Sequence, residues 1–96
     1  PWATLHAQRV ALDVVDEVAF GDEIIRRLAT HDVRCEYMTG RRRVQRAGER
    51  DIEGYSVVLH GLRPEQSLRV QCEGIGADRA LGWGIFIPHK SIAAVA

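Results

Sequence analysis

Residues 52–60 read IEGYSVVLH, and this stretch carries the clearest strand pattern in the chain. Apolar side chains alternate along it, which places Tyr55, Val57 and Leu59 on one face of an extended segment. Gly61 follows directly and ends the pattern. The stretch therefore predicts a strand with one apolar face, and the segments on either side of it decide the fold class.

Two segments near the start of the chain predict a strand followed by a helix. Leu5–Val15 alternates between apolar and polar residues, with Val10, Leu12 and Val14 on one face, and predicts a strand. Phe20–Thr30 has apolar residues every four positions, with acidic residues early and basic residues late, as the dipole of a helix prefers.

The segment between this helix and the central strand combines an alternating stretch with a basic one. Val33–Met38 alternates and predicts a strand, and Thr39-Gly40 is typical of a turn. Arg41–Arg46 then either extends the strand or forms an arm, before Ala47-Gly48 turns the chain.

The segment after the central strand predicts a second helix and a last strand. Pro64 suits the first turn of a helix, Leu68 and Cys72 have helical spacing, and Gly74 suits the cap that closes the helix. Trp83–Pro88 alternates and predicts a strand. One face of this strand is predicted to carry Trp83, Ile85 and Ile87.

The predicted order is therefore strand, helix, strand, strand, helix, strand. This is the α+β arrangement of a ferredoxin-like βαββαβ fold, as in RNA recognition motifs, with an antiparallel sheet and two helices on one face. A chain of 96 residues fits one such domain, over residues 1–96. The fold alone does not give the function, because unrelated activities use it.

Composition narrows the choice of partners. The formal net charge is zero, but residues 41–96 carry nine basic and six acidic residues. Twelve of the thirteen basic residues are arginine, which either reflects a GC-rich genome or favours contacts with phosphate and bases. The two cysteines lack the spacing of a zinc site, so no metal is predicted. No apolar run is long enough to span a membrane, so we expect no membrane partner, and two free thiols suit a reducing cytoplasm.

The stretch GIGADRALGWG, residues 74–84, pairs its glycines symmetrically. A dinucleotide-binding fingerprint is excluded, because the stretch lacks the last glycine of that motif and follows a helix instead of a strand. A P-loop is excluded as well, because the Lys and the Ser or Thr that follow its last glycine are missing. Two interpretations remain. The glycines form a long turn that lets helix and strand pack closely, or their bare N–H groups and Arg79 form a track for RNA phosphates.

Two further features favour RNA. Five arginines lie between Arg41 and Arg50, and such a run is either a solvated face or a nucleic-acid contact. Gly54–Leu59 partly resembles the base-stacking RNP1 strand of RNA recognition motifs, although Glu53 replaces the basic residue.

In order and spacing, these motifs resemble the carboxy-terminal half of the CRISPR repeat-processing endoribonucleases of the Cas-six type, in the RAMP (repeat-associated mysterious protein) superfamily. The likeness is strongest to the variant of their myxobacterial-type subtype. It covers Arg41–Pro88 well and Leu5–Val33 mainly in pattern. The residues that carry it are Gly54-Tyr55, Ser67–Gln71, Gly74–Gly84 and Gly84–Pro88.

The resemblance implies a two-unit protein that binds the repeat of precursor CRISPR RNA and cuts it once per repeat. The implied reaction uses no metal or cofactor: a ribose 2′-hydroxyl attacks the adjacent phosphate and leaves a cyclic phosphate and a 5′-hydroxyl. The usual catalytic His of these proteins lies in their amino-terminal unit, which this chain does not match, so no catalytic residue is assigned. The histidines of the chain, interpreted as surface or boundary residues, are His6, His31, His60 and His89.

The resemblance also implies a prokaryotic cytoplasmic protein, whose implied partners are CRISPR repeat RNA, a separate amino-terminal unit and other CRISPR-associated proteins. The residues predicted to bind RNA are Gly74, Gly76, Arg79, Gly82, Gly84, Arg41, Arg42, Arg43 and Arg46. Two other functions stay open. One is a non-catalytic RNA-binding module, either a degenerate family member or a domain like an RNA recognition motif. The other is a structural or ligand-sensing domain that pairs through its sheet.

Overall fold

The computed structural model describes residues 3–12 and 16–88. In chain order, the elements in these ranges are β1 (Thr4–Val10), α1 (Glu17–Thr30), β2 (Glu36–Ala47), β3 (Arg50–His60), α2 (Pro64–Glu73), a 3₁₀ turn (Arg79–Leu81) and β4 (Ile87–Pro88). The strands form one antiparallel sheet in the order β2-β3-β1-β4. Each helix connects two strands that have a third strand between them, which confirms the predicted ferredoxin-like α+β fold.

The main hydrophobic core lies between the helices and one face of the sheet. The predicted apolar face of β3 is confirmed, because Tyr55, Val57 and Leu59 are all buried in this core. Helix α1 covers them with Phe20, whose ring centroid lies 4.8 Å from that of Tyr55. Helix α2 contributes Val70, which is 3% exposed. In residues 3–12 and 16–88, no helix covers the other face of the sheet, called the open face below.

Helix α1 begins before the predicted start at Phe20 because Asp16 caps it. The Asp16 carboxylate accepts a hydrogen bond from the Ala19 amide at 2.9 Å and satisfies one of the free N–H groups of the first turn. The helix ends at Thr30 as predicted, and His31 takes the position that closes it.

Strand β2 does not turn at Thr39-Gly40 as predicted, and it continues through the basic segment to Ala47. A bulge places residues 40 and 41 of β2 opposite Ser56 of β3. The Arg41 amide donates to Ser56 Oγ at 2.9 Å, and a Cβ on Gly40 would lie 2.4 Å from the same oxygen. The glycine that suggested a turn thus leaves room beside the bulge for the Ser56 hydroxyl group.

The chain after β1 leaves the sheet earlier than predicted. The strand ends at Val10, and the next two residues, Ala11 and Leu12, are both buried, which breaks the expected alternation. The Ala11 carbonyl accepts from the Ala77 amide at 3.1 Å, so this part of the chain bonds to the glycine-rich segment instead of to a strand. The predicted end of the strand, residues 13–15 with Val14, lies outside the described residues.

The prediction for the last strand is wrong over most of its length, because β4 covers only Ile87–Pro88. Trp83 is fully buried, whereas Ile85 and Ile87 are 47% and 55% exposed, so these residues do not share a face. Gly84, with φ of 72°, turns the backbone between Trp83 and Ile85 and interrupts the extended pattern.

Helix α2 buries a different face from the predicted one. Leu68 is 51% exposed and Cys72 is also exposed. The buried residues of the helix are Gln66, Ser67 and Val70. Gln66 can face inward because its side-chain oxygen accepts from the Arg63 amide at 3.0 Å. Gln66, a polar residue with a satisfied hydrogen bond, is thus buried, although the apolar spacing suggested Leu68 for the buried face.

The corrected helix face predicts unequal costs for two substitutions in α2. Val70→Ala is expected to lower the free energy of unfolding by about 1.5–3 kcal/mol, because it removes two methyl groups from the core. Leu68→Ala, at the half-exposed site, should change it by less than about 0.5 kcal/mol. Urea unfolding measures the free energy of both variants. A larger loss for Leu68→Ala than for Val70→Ala would show that Leu68 lies on the buried face of α2.

Candidate nucleic-acid interface

The glycine loop, defined here as Gly74–Gly84, folds back on itself between α2 and β4. Its four glycines Gly74, Gly76, Gly82 and Gly84 have φ of 68°, 88°, 90° and 72°. The two ends of the loop bond to each other, since the Ile75 amide donates to the Gly84 carbonyl at 3.1 Å. A Cβ on Gly84 would lie 2.1 Å from the Ile75 carbonyl oxygen, so the loop closes only around a residue without a side chain.

Most backbone N–H groups of the loop bond within the protein, which corrects the expectation of a bare row of amides. Besides the Ala77 bond to Ala11, the Gly84 amide donates to the Arg9 carbonyl at 2.6 Å. Within the described part of the chain, the loop amides that have no acceptor are those of Gly76, Asp78, Arg79 and Ala80. The loop thus offers a short group of amides near the 3₁₀ turn instead of a continuous track.

The two charged residues of the loop both have partners in the protein. The Arg79 guanidinium donates to the Glu73 carbonyl at the end of α2, where a cation offsets the helix dipole. The Asp78 carboxylate accepts from Arg50 of β3 at 2.7 Å, and this bond raises the pKa of Arg50. Asp78 therefore ties the loop to the β2–β3 hairpin, while Arg79 remains exposed at the surface.

A cleft of about 570 Å³ lies beside the loop, between the carboxyl ends of α1 and α2. Its lining includes Arg27, Thr30, His31, Glu73, Gly76 and Arg79. His31 Nδ1 lies 2.8 Å from Glu73 Oε2. The His31 imidazole is thus paired with a carboxylate, while two guanidinium groups lie beside a wall of glycine backbone, and these two groups suit a phosphodiester.

Arg27 reaches the cleft while it is bonded to Glu23, with 2.8 Å between Arg27 Nε and Glu23 Oε2. Hydrogen bonds from Arg26 and Arg27 lower the pKa of Glu23 to about 2, so this carboxylate stays ionised near neutral pH. Neither Arg27 nor Thr30 was among the predicted site residues. The sequence pattern that could have indicated Arg27 is its spacing from His31, because residues four apart lie on the same face at the end of the predicted helix.

The arginine segment, Arg41–Arg46, lies within β2 and is divided between the two faces of the sheet. Arg42 is paired with Tyr55 and lies on the side of the helices, whereas Arg43 is paired with Gly54 and lies on the open face. Of the two alternatives for this segment, the structure shows the extended strand. It does not bring all the predicted arginines onto one surface.

Ion pairs distinguish the arginines further. Arg42 Nη2 lies 2.8 Å from Glu53 Oε1, and Arg46 Nη1 lies 3.5 Å from Asp51 Oδ1. Within residues 3–12 and 16–88, neither Arg41 nor Arg43 forms an ion pair with a carboxylate. Exposed ion pairs contribute little free energy, so phosphates can displace the carboxylates that pair with Arg42 and Arg46. Arg41 and Arg43 have no carboxylate to exchange among the described residues.

Arg9 of β1 was not predicted, and it contacts both the glycine loop and the arginine segment. Its guanidinium carbon lies 5.4 Å from the ring centroid of Trp83. Its Nη1 donates to Gln45 Oε1 and its Nη2 to the Leu81 carbonyl, each at 3.3 Å. No local pattern marks this role, because a single arginine in an alternating strand looks like any exposed strand residue.

The histidines do not assemble into a recognisable catalytic group. Of those that the structure describes, only His31 lines the cleft, and His60 Nδ1 lies 3.1 Å from Thr4 Oγ1. His89 lies outside the described residues. The described residues contain no group of three or more His, Cys, Asp or Glu able to hold a metal ion. Among them there is also no helix with the length and apolarity needed to cross a membrane.

Comparison with known proteins identifies the family. The family model described as "Cas6 Crispr" matches residues 1–91. The chain is 38% identical over 96 residues to the "CRISPR-associated endonuclease Cas6" of Myxococcus xanthus (strain DK1622), an alignment that covers 99% of this chain and 42% of that relative. The chain thus spans less than half the length of its relative. The resemblance found in the sequence is confirmed, and the chain belongs to the Cas6 CRISPR family.

Proposed function

We propose that this chain binds the repeat of precursor CRISPR RNA, as the RNA-binding unit of an endoribonuclease that processes this RNA. In this proposal, residues 1–96 form a single domain. The observation that carries it is the cleft, where Arg27, His31 and Arg79 surround a wall of glycine backbone. Family membership supports RNA as the ligand, and the name of the relative supports an endonuclease.

A phosphodiester suits the cleft by charge and by space. Gly76 presents no side chain to the cleft, and its amide has no acceptor within the described residues. Arg79 and Arg27 supply charge-assisted hydrogen bonds to the phosphate oxygens. The cleft therefore holds one segment of the RNA backbone, while the hairpin tied to the loop by Arg50 holds another.

The second segment contacts the arginine segment on β2. Arg41 and Arg43 bind phosphates of the repeat stem directly, and Arg42 and Arg46 exchange their carboxylates for phosphates. These contacts fix the position of the RNA and carry little sequence information.

The proposed reaction is a metal-independent cleavage. The 2′-hydroxyl loses its proton, its oxygen bonds to the adjacent phosphorus, and the bond from phosphorus to the 5′-oxygen breaks. The products are a cyclic phosphate and a 5′-hydroxyl that has taken up a proton. Arg27 and Arg79 stabilise the charge that builds up on the phosphate. A separate amino-terminal unit supplies the groups that move the protons.

The test is an RNA-binding and cleavage assay in EDTA with a labelled repeat RNA and a copy that carries a 2′-deoxy sugar at the cut site. Repeat RNA is expected to bind, and Arg79→Ala should weaken binding about tenfold through the loss of one charged contact. Arg34→Ala, at an exposed site away from the cleft lining, is the charge-matched control.

The outcomes separate the proposed activity from the non-catalytic alternative. Binding with a clean cut by this chain alone, blocked by the 2′-deoxy sugar, supports the cleavage chemistry but places the proton-transfer groups in this chain instead of a separate unit, and it makes His31 the first residue to replace. Binding without a cut, both alone and with the remaining part of a full-length family member, supports a module that only holds RNA. The absence of repeat binding overturns the proposal.

A further inference from the structure

A bulge in β1 directs Arg9 to the open face of the sheet. Ala7 is paired with Val57 and Val10 with Tyr55, so two residues of β1 lie opposite one residue of β3. Bulges of this kind redirect a side chain relative to regular pairing. Without the extra residue, Arg9 would occupy the opposite face, which the helices cover.

The guanidinium of Arg9 joins two elements that are distant in sequence. It bonds to Gln45 in the arginine segment and to the Leu81 carbonyl in the glycine loop. Trp83 lies under it and donates its own Nε1–H to Gln45 Oε1 at 2.5 Å. One planar cation thus connects the strand, the loop and the buried indole, a geometry that suits arginine and not lysine.

The backbone and the space around Arg9 strengthen this connection. The Arg9 carbonyl accepts from the Gly84 amide at 2.6 Å. A Cβ on Gly82 would lie 2.7 Å from Arg9 Nη2, so the guanidinium packs against the bare backbone of that residue. Two glycines of the loop are therefore in direct contact with Arg9.

Stability alone does not explain an arginine at this position. Its Nε is buried and has no partner in the part of the chain that the structure describes, and the same holds for Arg43 Nε. A buried donor without an acceptor destabilises the folded state, whereas an apolar side chain would not carry this penalty. The position uses the shape and the several donors of the guanidinium group.

We propose that Arg9 is a positioning residue that sets the distance and orientation between the glycine loop and the arginine segment. Its effect on RNA depends on the proposed function, because these are the two elements that contact the backbone of the repeat. Its contacts with Gln45 and with the loop do not depend on that function. Arg9 needs no phosphate contact for this role, since its Nη1 and Nη2 each donate to a protein group.

The first test compares Arg9→Met and Arg9→Lys in repeat RNA binding, with Gln8→Met in the same bulge as the control. Both Arg9 variants are expected to bind about tenfold more weakly, with an unchanged slope of log K against log salt, because no phosphate contact is lost. Near-normal binding by Arg9→Lys, with a slope lowered by about 0.7–0.9 in Arg9→Met, would show direct phosphate contact and overturn the positioning role. Circular dichroism checks that each variant is folded.

The second test is a double-mutant cycle that a general loss of stability would not affect. The effects of Arg79→Ala and Arg43→Ala on RNA affinity are expected to be non-additive in the wild-type background and additive in Arg9→Met. Equal coupling in both backgrounds would contradict the proposal.

The third test needs no RNA and separates this inference from the proposed function. Arg9→Met should speed hydrogen exchange of the Gly82 and Gly84 amides at least several-fold, although it changes only a side chain of β1 and those amides bond to backbone carbonyls. Gln8→Met, the control, should leave both rates unchanged. Faster exchange together with no RNA binding would refute the proposed function and leave the structural role of Arg9 intact. Unchanged exchange would refute that role.

Discussion

Replacement of Arg41, Arg42 and Arg43 by alanine is expected to weaken binding of repeat RNA about 100-fold or more near 0.1 M salt. The reason is the release of counterions, since each phosphate contact contributes about 0.7–0.9 to the slope of log K against log salt. Three lost contacts should therefore lower the slope by about 2 to 3. Titrations of labelled RNA at several salt concentrations measure both quantities.

The control for this experiment removes the same charge elsewhere. Arg26, Arg34 and Arg63 are arginines outside the arginine segment, and their triple alanine variant should bind RNA with an affinity and a slope close to those of the wild type. Equal losses in the two triple variants would mean that only the total charge matters. An RNA affinity that changed neither with the substitutions nor with the salt concentration would show that the arginine segment is not part of the interface.

Gly84→Ala is expected to lower the free energy of unfolding by about 3–4 kcal/mol, a large share of the roughly 5–15 kcal/mol typical of a domain. Part of the cost, about 1–2 kcal/mol, comes from an L-residue at positive φ. The remainder comes from the backbone shift that must relieve a Cβ placed 2.1 Å from the Ile75 carbonyl oxygen. Urea unfolding followed by circular dichroism measures the loss.

Gly48 offers a matched control in the turn between β2 and β3. Its φ of 67° is close to the 72° of Gly84, but a Cβ on Gly48 would meet no atom within 4 Å. Gly48→Ala should therefore cost about 1 kcal/mol, the conformational part alone. Similar losses for the two variants would show that the contact with Ile75 is unimportant for the loop.

The fold could be predicted from the sequence because its largest elements have regular patterns. In β3, the period of two identifies the buried side chains Tyr55, Val57 and Leu59. In α1, the period near four identifies Phe20 and Ile24, both fully buried. Such patterns report directly which side chains leave water, so they are reliable wherever burial of apolar groups decides the structure.

The inner face of α2 and the extent of β4 could not be predicted, because other interactions decide them. Gln66 and Ser67 face inward, and the bonds of the Gln66 side chain to the Arg63 amide and to the distant Asp32 carbonyl are not visible in a hydrophobic pattern. Trp83 and Ile85 alternate in sequence, but the positive φ of Gly84 between them interrupts the extended conformation that alternation requires.

The candidate site was predicted in part. The paired glycines indicate an unusual backbone, but the partners of its amides, such as Ala11 for Ala77, depend on distant segments. The arginine segment is easy to find, yet the face of each side chain depends on the bulge at Gly40, because one extra residue exchanges the two faces. Arg9 is the residue hardest to find, since only the bulge in β1 brings it to the loop and the strand.

Strand β2 has a consequence for how the molecule behaves in concentrated solution. It has twelve residues and is the terminal strand of the sheet that the described residues form, in which no strand pairs with its outer edge, so another chain could build on that edge. The like charges of its arginines keep such chains apart, as gatekeeper residues do in natural β-proteins. The side chains proposed to bind RNA are therefore also expected to oppose self-assembly through this rim, and their removal should favour aggregation.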